Sequence, residues 1–343
     1  MLTYVFLRGL TYLLSEIQRD YYQRVIVKIV HLSYSCMNNN PFLVNSPVIY
    51  QKDISKDFLI RKYLEKYCLD IRPLLSSTEK ISVYKCLKTG YCFYYPFEIT
   101  GDSKFYEKLQ LNEWYYMPWK WEHQVCQKYI KSHFKILEIG CGKGDFLKKV
   151  SLQFENTQCY GLELNKSSVY NDDRICINNL TLEEFSEANQ EVFDIVCSFQ
   201  VLEHIPAVKD FLSANIKCLK NNGLLVISVP NNNSFIKYDR NNVLNMPPHH
   251  MGLWTAESLL KIGEAFNLDL VEIVYEPLQP YHFNWYINVI LKYFTGKYPS
   301  KVLIKAIDFF KIRKGIKHYL QARSNKIRGH SVLIAYRKAA SHS

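Results

Sequence analysis

From Lys135 onward, short apolar runs alternate with segments of helical spacing. The runs predict strands over Lys135–Ile139, Gln158–Leu164, Arg174–Asn178, Phe193–Phe199, Leu224–Pro230, Leu268–Tyr275 and Ser331–Tyr336. Most are near-continuous Val, Ile, Leu and Phe, as in strands buried on both faces of a parallel sheet. Between them, helices are predicted over Asp145–Gln153, Leu182–Ala188, Val208–Leu219 and Ala256–Phe266, the last behind Thr255, a residue suited to an N-cap. Strand-helix alternation of this kind predicts a doubly wound α/β sheet. Between the last two strands, Glu276–His330 is too long for a hairpin loop and reads as an insertion.

The first part of the chain is patterned differently. Residues 1–60 lack a clean period, and Asn38-Asn39-Asn40-Pro41 with Ser46-Pro47 mark a loop. Lys66 to Phe105 is turn-rich and carries the aromatic run Tyr91-Cys92-Phe93-Tyr94-Tyr95. A helix is expected from Trp119 to about Lys131. The chain therefore divides into an extension (1–65), an aromatic-rich segment (66–118) and an α/β domain (119–343) holding the insertion 276–330. Its 343 residues exceed one ordinary domain.

Composition narrows the class. With 48% hydrophobic, 15% aromatic and 22% charged residues, the chain can bury a core and is not disordered. No run of about 20 apolar residues spans a membrane. The apolar start is split by Arg8 and lacks a basic leader, so it does not read as a signal peptide. Ten cysteines are scattered, several inside strand runs (Cys159, Cys176, Cys197), which predicts reduced thiols and a cytoplasmic location. The net charge of +11 is concentrated late: thirteen Lys/Arg and one acid, Asp308, follow Pro280. An electrostatic partner belongs there.

The first strand of the α/β domain runs into Glu138-Ile139-Gly140-Cys141-Gly142-Lys143-Gly144-Asp145. Glycines between a buried strand and a helix let backbone approach a ligand. The spacing G-x-G-x-G is not the dinucleotide fingerprint, which disfavours an NAD-dependent dehydrogenase. A carboxylate beside the loop repels a pyrophosphate and favours a cationic ligand. A second acid, Glu163, follows 21 residues after Gly142 at the end of the next strand, where an acid can accept ribose hydroxyls.

These residues resemble the first motif, E/D-x-G-x-G-x-G, of the class I S-adenosylmethionine (SAM)-dependent methyltransferases. The resemblance implies a Rossmann-like seven-stranded sheet with SAM as cofactor. It implies that Glu138, Gly140, Gly142 and Gly144 hold the methionyl part, Glu163 the ribose, and Asn178 and Leu180 the adenine. Phe199 and Gln200 would face the cofactor. The segment Gln200-Val201-Leu202-Glu203-His204 most resembles that of ubiquinone-type O-methyltransferases, in which E-x-x-E-H is associated with a divalent metal. Here Gln200 replaces the first acid, one hard ligand is lost, and no metal is expected. Glu203 and His204 either cap the next helix or serve catalysis.

Pro247-Pro248-His249-His250 sits between the fifth strand and its helix, and its stiffened histidine pair suits a general base or substrate clamp. It could equally be a structural loop with buried imidazoles. The segment resembles P-P-H-H-x-x-x-W stretches of bacterial methyltransferases found beside cell-surface polysaccharide genes. Relatives of that kind carry a zinc knuckle, C-x-x-C…C-x-x-C. Here Ile71 and Thr89 replace the second cysteines after Cys68 and Cys86, and with only Cys92 nearby a metal-free remnant is expected.

The reading is thus methyl transfer from SAM to an oxygen or nitrogen of a small-molecule or glycan acceptor, with His204, His249 or His250 as base. Two alternatives stand beside it: a non-catalytic module keeping the fold, and O-methylation of a quinone-like lipid at a membrane surface. The basic insertion 281–328 is read first as a helical cap over the substrate pocket, next as contact with an anionic membrane. Nucleic acid comes last, for no binding motif is present.

Overall fold

The computed structural model describes residues 40–112, 115, 117–239, 241–295 and 312–340. Two sheets share the molecule. The smaller one is antiparallel and begins with β1 (Val48–Ile54), followed by α1 (Lys56–Tyr67), β2 (Ile81–Cys86) and β3 (Cys92–Tyr95). Ser55 caps α1 by accepting the Phe58 N–H. Then come α2 (Ser103–Leu109), capped by Asp102, and α3 (Trp121–Cys126). The boundary expected at 65/66 falls inside α1, because Leu59 and Tyr63 of that helix pack with Ile81, Val83 and Tyr94 in one core. The helix expected from Trp119 to Lys131 is shorter and tightens into a 3₁₀ turn at Gln127–Tyr129.

The larger sheet is built from β4 (Lys135–Ile139), β5 (Gln158–Leu162), β6 (Tyr170–Asn171), β7 (Ile175–Asn178), β8 (Phe193–Phe199) and β9 (Leu219–Pro230), joined by α4 (Asp145–Gln153), α5 (Leu182–Ala188) and α6 (Val208–Cys218). A two-residue strand, β10 (Gly252–Leu253), precedes α7 (Ala256–Phe266) and β11 (Leu268–Pro277). The insertion supplies α8 (Phe283–Thr295) and α9 (Ile312–Arg323), and β12 (Arg328–Lys338) closes the sheet. The spatial order is β11-β12-β9-β8-β4-β5-β7-β6. The pairs β4–β5, β4–β8, β5–β7 and β8–β9 are parallel, whereas β12 runs antiparallel to both β9 and β11.

The seven expected strands are present, with β6 added as a short edge strand. β9 starts at Leu219, five residues earlier than expected, because Leu219 already pairs with Phe193; the chain then bulges through Asn222 (φ +63°) before Leu224 pairs with Ile195. The central strands are apolar on both faces, burying Ile136, Leu137, Ile195, Val196, Leu225, Val226 and Ile227. Thr255 caps α7 reciprocally with Ser258.

β10 belongs to the small sheet: Gly252 pairs with Phe93 and Leu253 with Cys92. The loop before it therefore bridges the two sheets. Its backbone accepts from Gly101 at Pro248 (2.8 Å) and donates from Met251 to Glu203 (2.8 Å). Cys86 and Cys92 flank the turn of the β2–β3 hairpin, while Cys68 ends α1 in a left-handed conformation. The aromatic run packs inward, with Tyr91 4.1 Å from Trp254 between ring centroids. α8 lays Phe283, Ile287 and Val289 on Phe235, Ile236 and Leu278. Residues 296–311 of the basic insertion lie outside the described residues.

Candidate active site

β4 and β8 are the adjacent strands from which the chain departs in opposite directions, and open α/β sheets bind ligands outside the carboxyl ends at such a point. A cavity of about 1500 Å³ opens there. The loop after β4 holds Gly140, Gly142 and Gly144 at φ of +69°, +55° and +72°. A Cβ on Gly140 would stand 2.6 Å from Val201, so only glycine fits the approach of the two strand ends. Glu163 braces this loop: Oε2 accepts the Gly142 N–H (2.9 Å) and Oε1 the Asn165 N–H (3.0 Å).

Of the residues singled out from sequence, Gly140, Gly142, Glu163, Leu180, Phe199, Gln200, His204, His249 and His250 line this cavity. Glu138, Gly144 and Asn178 do not line it. Glu138 is buried under the loop, one carboxylate oxygen has no hydrogen-bond partner, and burial pushes its carboxyl well above the usual range. Gly144 instead starts α4, where a Cβ would meet Ile177 at 2.4 Å.

Gln200 takes φ +59°, a left-handed conformation uncommon for a side-chain-bearing residue. Its backbone N–H donates to Ser228 (2.8 Å) and its amide to the hydroxyls of Ser228 (3.4 Å) and Ser331 (3.2 Å). That amide is committed to the sheet, so the E-x-x-E-H metal set is not reproduced at its first position. Glu203 and His204 do not cap α6 either. They form a 3₁₀ turn, and α6 starts behind Ala207 with no side-chain cap.

The three histidines come together. His204 and His249 ring centroids are 4.6 Å apart, His204 and His250 4.9 Å, His249 and His250 4.5 Å. Each uses Nδ1 as a donor: His204 to the His249 carbonyl (2.5 Å), His249 to the Leu244 carbonyl (2.8 Å) and His250 to the Asn245 side-chain oxygen (3.1 Å). Burial lowers all three, His204 to about 4, so they are neutral imidazoles near pH 7. As bases they are weaker than an unperturbed histidine.

Sequence reasoning missed the rest of the lining. Tyr106 and Tyr115 from the small-sheet side reach His204 and His249 at 3.3 and 3.2 Å. From the far side come Glu276, Tyr281, His282, Trp285 and His330. Glu276 accepts from the Tyr281 hydroxyl (3.0 Å) and the Ser331 N–H (2.8 Å); burial, then nearby Glu122, pushes its carboxyl up to about 7. Glu276 lies near the end of β11, directly after the predicted run Leu268–Tyr275, the one signal that could have exposed it. Tyr106 and Trp285 had none, because only the insertion and the small sheet bring them to the cavity.

Residues 111–273 match a family model described as a methyltransferase domain. That match and the strand order define this part of the chain as a class I SAM-dependent methyltransferase domain. More particularly, it is similar to ubiquinone biosynthesis O-methyltransferases. That of Rickettsia bellii (strain OSU 85-389) is 31% identical over 114 residues, covering 30% of this chain and 47% of the relative. That of Glaesserella parasuis serovar 5 is 27% identical over 176 residues, covering 45% and 73%. The chain spans about half the length of the first of these relatives. Among solved structures, a SAM-dependent methyltransferase from Archaeoglobus fulgidus aligns with 63% of this chain and 90% of its own, at 19% identity and a TM-score of 0.43.

Proposed function

We propose that the protein transfers a methyl group from SAM to an oxygen or nitrogen of a small-molecule acceptor. The observation that carries this reading is the convergence, in one cavity at the β4/β8 carboxyl ends, of a braced glycine loop and a histidine-rich wall. The cavity's chemistry suits the cofactor: a buried carboxyl with an orphaned oxygen lies beneath the loop, and the Glu163 carboxylate stands beside it at the cavity wall. SAM, when bound, supplies a methyl group already activated by its sulfonium.

Around it, Glu138, Gly140, Gly142 and Gly144 would form and support the methionyl site, Glu163 would meet the ribose, and Asn178 and Leu180 would border the adenine. Phe199 and Gln200 would line the approach to the methyl group. His204, His249 and His250 keep Nε2 free of a proton, and that lone pair can take the proton of an acceptor hydroxyl or amine. Because the donor is pre-activated, alignment supplies most of what the protein must provide, and a weak base suffices.

The wall of Glu276, Tyr281, Trp285 and His330 supports a ring-bearing polar acceptor, sugar-like or phenolic. The name shared by the relatives makes an oxygen acceptor the first class to assay. Exposed Tyr293 and Tyr319 with Lys314 and Arg323 on the insertion support delivery of that acceptor at an anionic membrane surface. Among the described residues no helix is long and apolar enough to cross a membrane. Calorimetry with SAM, S-adenosylhomocysteine and NAD tests the reading. Binding of the two adenosyl ligands supports it, whereas binding of NAD with no response to SAM overturns it. Labelled SAM with fractionated cell extract then finds the acceptor.

A further inference from the structure

Methyl transfer to a hydroxyl or an amine releases a proton, and several groups on the cavity wall differ in their fitness to receive it. Glu163 is committed to the Gly142 and Asn165 N–H groups (2.9 and 3.0 Å). Asp239 holds the Trp285 indole N–H (2.8 Å). Glu203, 1% exposed, is pushed up by burial to about 8 and so keeps a proton of its own near neutrality. The histidines fall the other way, His204 to about 4.

Glu276 is placed differently. It lies near the end of β11, and its Oε2 accepts the Ser331 N–H (2.8 Å), while the Ser331 hydroxyl meets the Gln200 amide (3.2 Å). One residue of β12 therefore separates this carboxylate from the side chain proposed to line the approach to the methyl group. Its Oε1 accepts the Tyr281 hydroxyl (3.0 Å), and Tyr281, 47% exposed, links the buried carboxyl to the surface. A carboxylate oxygen has two lone pairs, so each keeps room for a proton.

The groups packed around it are Glu122 from α3, Tyr281 and His282 from the turn before α8, and His330 from β12. Lys120 acts on Glu122 and on His330. His282 and His330 are neutral, lowered by burial to about 4 and about 3. Burial and then Glu122 raise the Glu276 carboxyl to about 7, and a general base works best when matched in this way to the operating pH.

We propose that Glu276 faces the sulfonium methyl and takes the acceptor's proton during transfer, an inference that rests on the methyl-transfer reading above. The acceptor's oxygen or nitrogen lone pair forms the bond to the methyl carbon. The carbon–sulfur bond breaks with its electron pair left on sulfur, and the acceptor's proton moves to a Glu276 oxygen. Water at the Tyr281 end then carries that proton away.

The main test reads binding and needs no acceptor. SAM carries a positive sulfonium and S-adenosylhomocysteine a neutral sulfur, so a carboxylate facing that atom prefers SAM, and only when ionised. Calorimetry on the full chain should show the preference for SAM over S-adenosylhomocysteine rising about three- to tenfold from about pH 5.5 to about pH 8. Glu276→Gln retains groups for both hydrogen bonds and should abolish the rise. The ligands' own amines titrate alike with both proteins and cancel in the comparison. Glu122→Gln should keep the rise and move its midpoint to lower pH. Transfer from labelled SAM to an accepting extract fraction should fall about 100-fold in Glu276→Gln.

A flat preference in wild-type protein that binds SAM overturns the proposal and leaves the methyl-transfer reading standing. SAM that fails to bind at any pH overturns both. A rise retained in folded Glu276→Gln, an unmoved midpoint in folded Glu122→Gln, or an undiminished transfer rate also overturns it. The binding ratio decides even where no fraction is methylated, and the Glu122→Gln midpoint decides where Glu276→Gln does not fold.

Discussion

One carboxylate, that of Glu163, accepts the Gly142 N–H at 2.9 Å and so ties the end of β5 to the glycine loop after β4. Hydrogen bonds to a charged acceptor contribute about 1.5–3 kcal/mol each. Glu163→Ala should therefore raise the SAM dissociation constant by about 10- to 100-fold. Calorimetry measures this, and an unchanged constant would remove Glu163 from the cofactor site.

How much of this was legible in the sequence depends on distance along the chain. The Gly140–Gly144 loop, α4, α5 and α7 were readable because local chemistry specifies them: glycines at positive φ, and caps at Thr181 and Thr255. The pairing of Gly252 with Phe93 was not, since two residues carry no periodicity and their partner lies far upstream. Nor could sequence place Trp285 or Tyr106 against the cavity, because tertiary packing alone brings them there. Glu203 was read as a cap or a catalytic group, and the cap reading falls only because the chain makes a 3₁₀ turn there and α6 starts behind Ala207.

The junction of the sheets should be sensitive to a single methyl group. A Cβ on Gly252 would lie 2.2 Å from the Tyr91 hydroxyl. Gly252→Ala should lower Tm by several degrees, and adding Tyr91→Phe should recover part of the loss. Thermal melts of the two single variants and the double variant give the coupling; purely additive effects would refute the contact.

Glu276 makes stability depend on pH. An acid raised in the folded state keeps a proton that the unfolded chain has lost, so folding is favoured at low pH. That advantage disappears as pH climbs from 4.5 to about 7. The shift corresponds to about 3 kcal/mol. Glu276→Gln should flatten the fall in Tm between about pH 5 and about pH 8. Parallel slopes for variant and wild type would contradict this.

Trp285 donates its indole N–H to Asp239 (2.8 Å) and presents its ring to the cavity. Trp285→Ala should raise the acceptor KM about tenfold or more through lost aromatic contact, with SAM affinity intact. Equal loss of both would mean that α8 had collapsed rather than lost a contact.

Sedimentation with vesicles rich in phosphatidylserine should pull down the protein at low salt and release it at high salt. Reversing charge at Lys314 and Arg323 together should weaken this by roughly tenfold or more, at about 1 kcal/mol per basic residue near the surface. Salt-independent or absent binding would remove the membrane from the account.

Because β10 completes a sheet whose other strands were made some 160 residues earlier, synthesis on the ribosome imposes an order of events. The nascent β1–β3 fragment must wait, with one edge uncovered, until translation has passed through the parallel half of the molecule. The segment that finally covers that edge also brings His249 and His250. Closing the amino-terminal layer and delivering the imidazoles are thus a single late event in the life of each new chain.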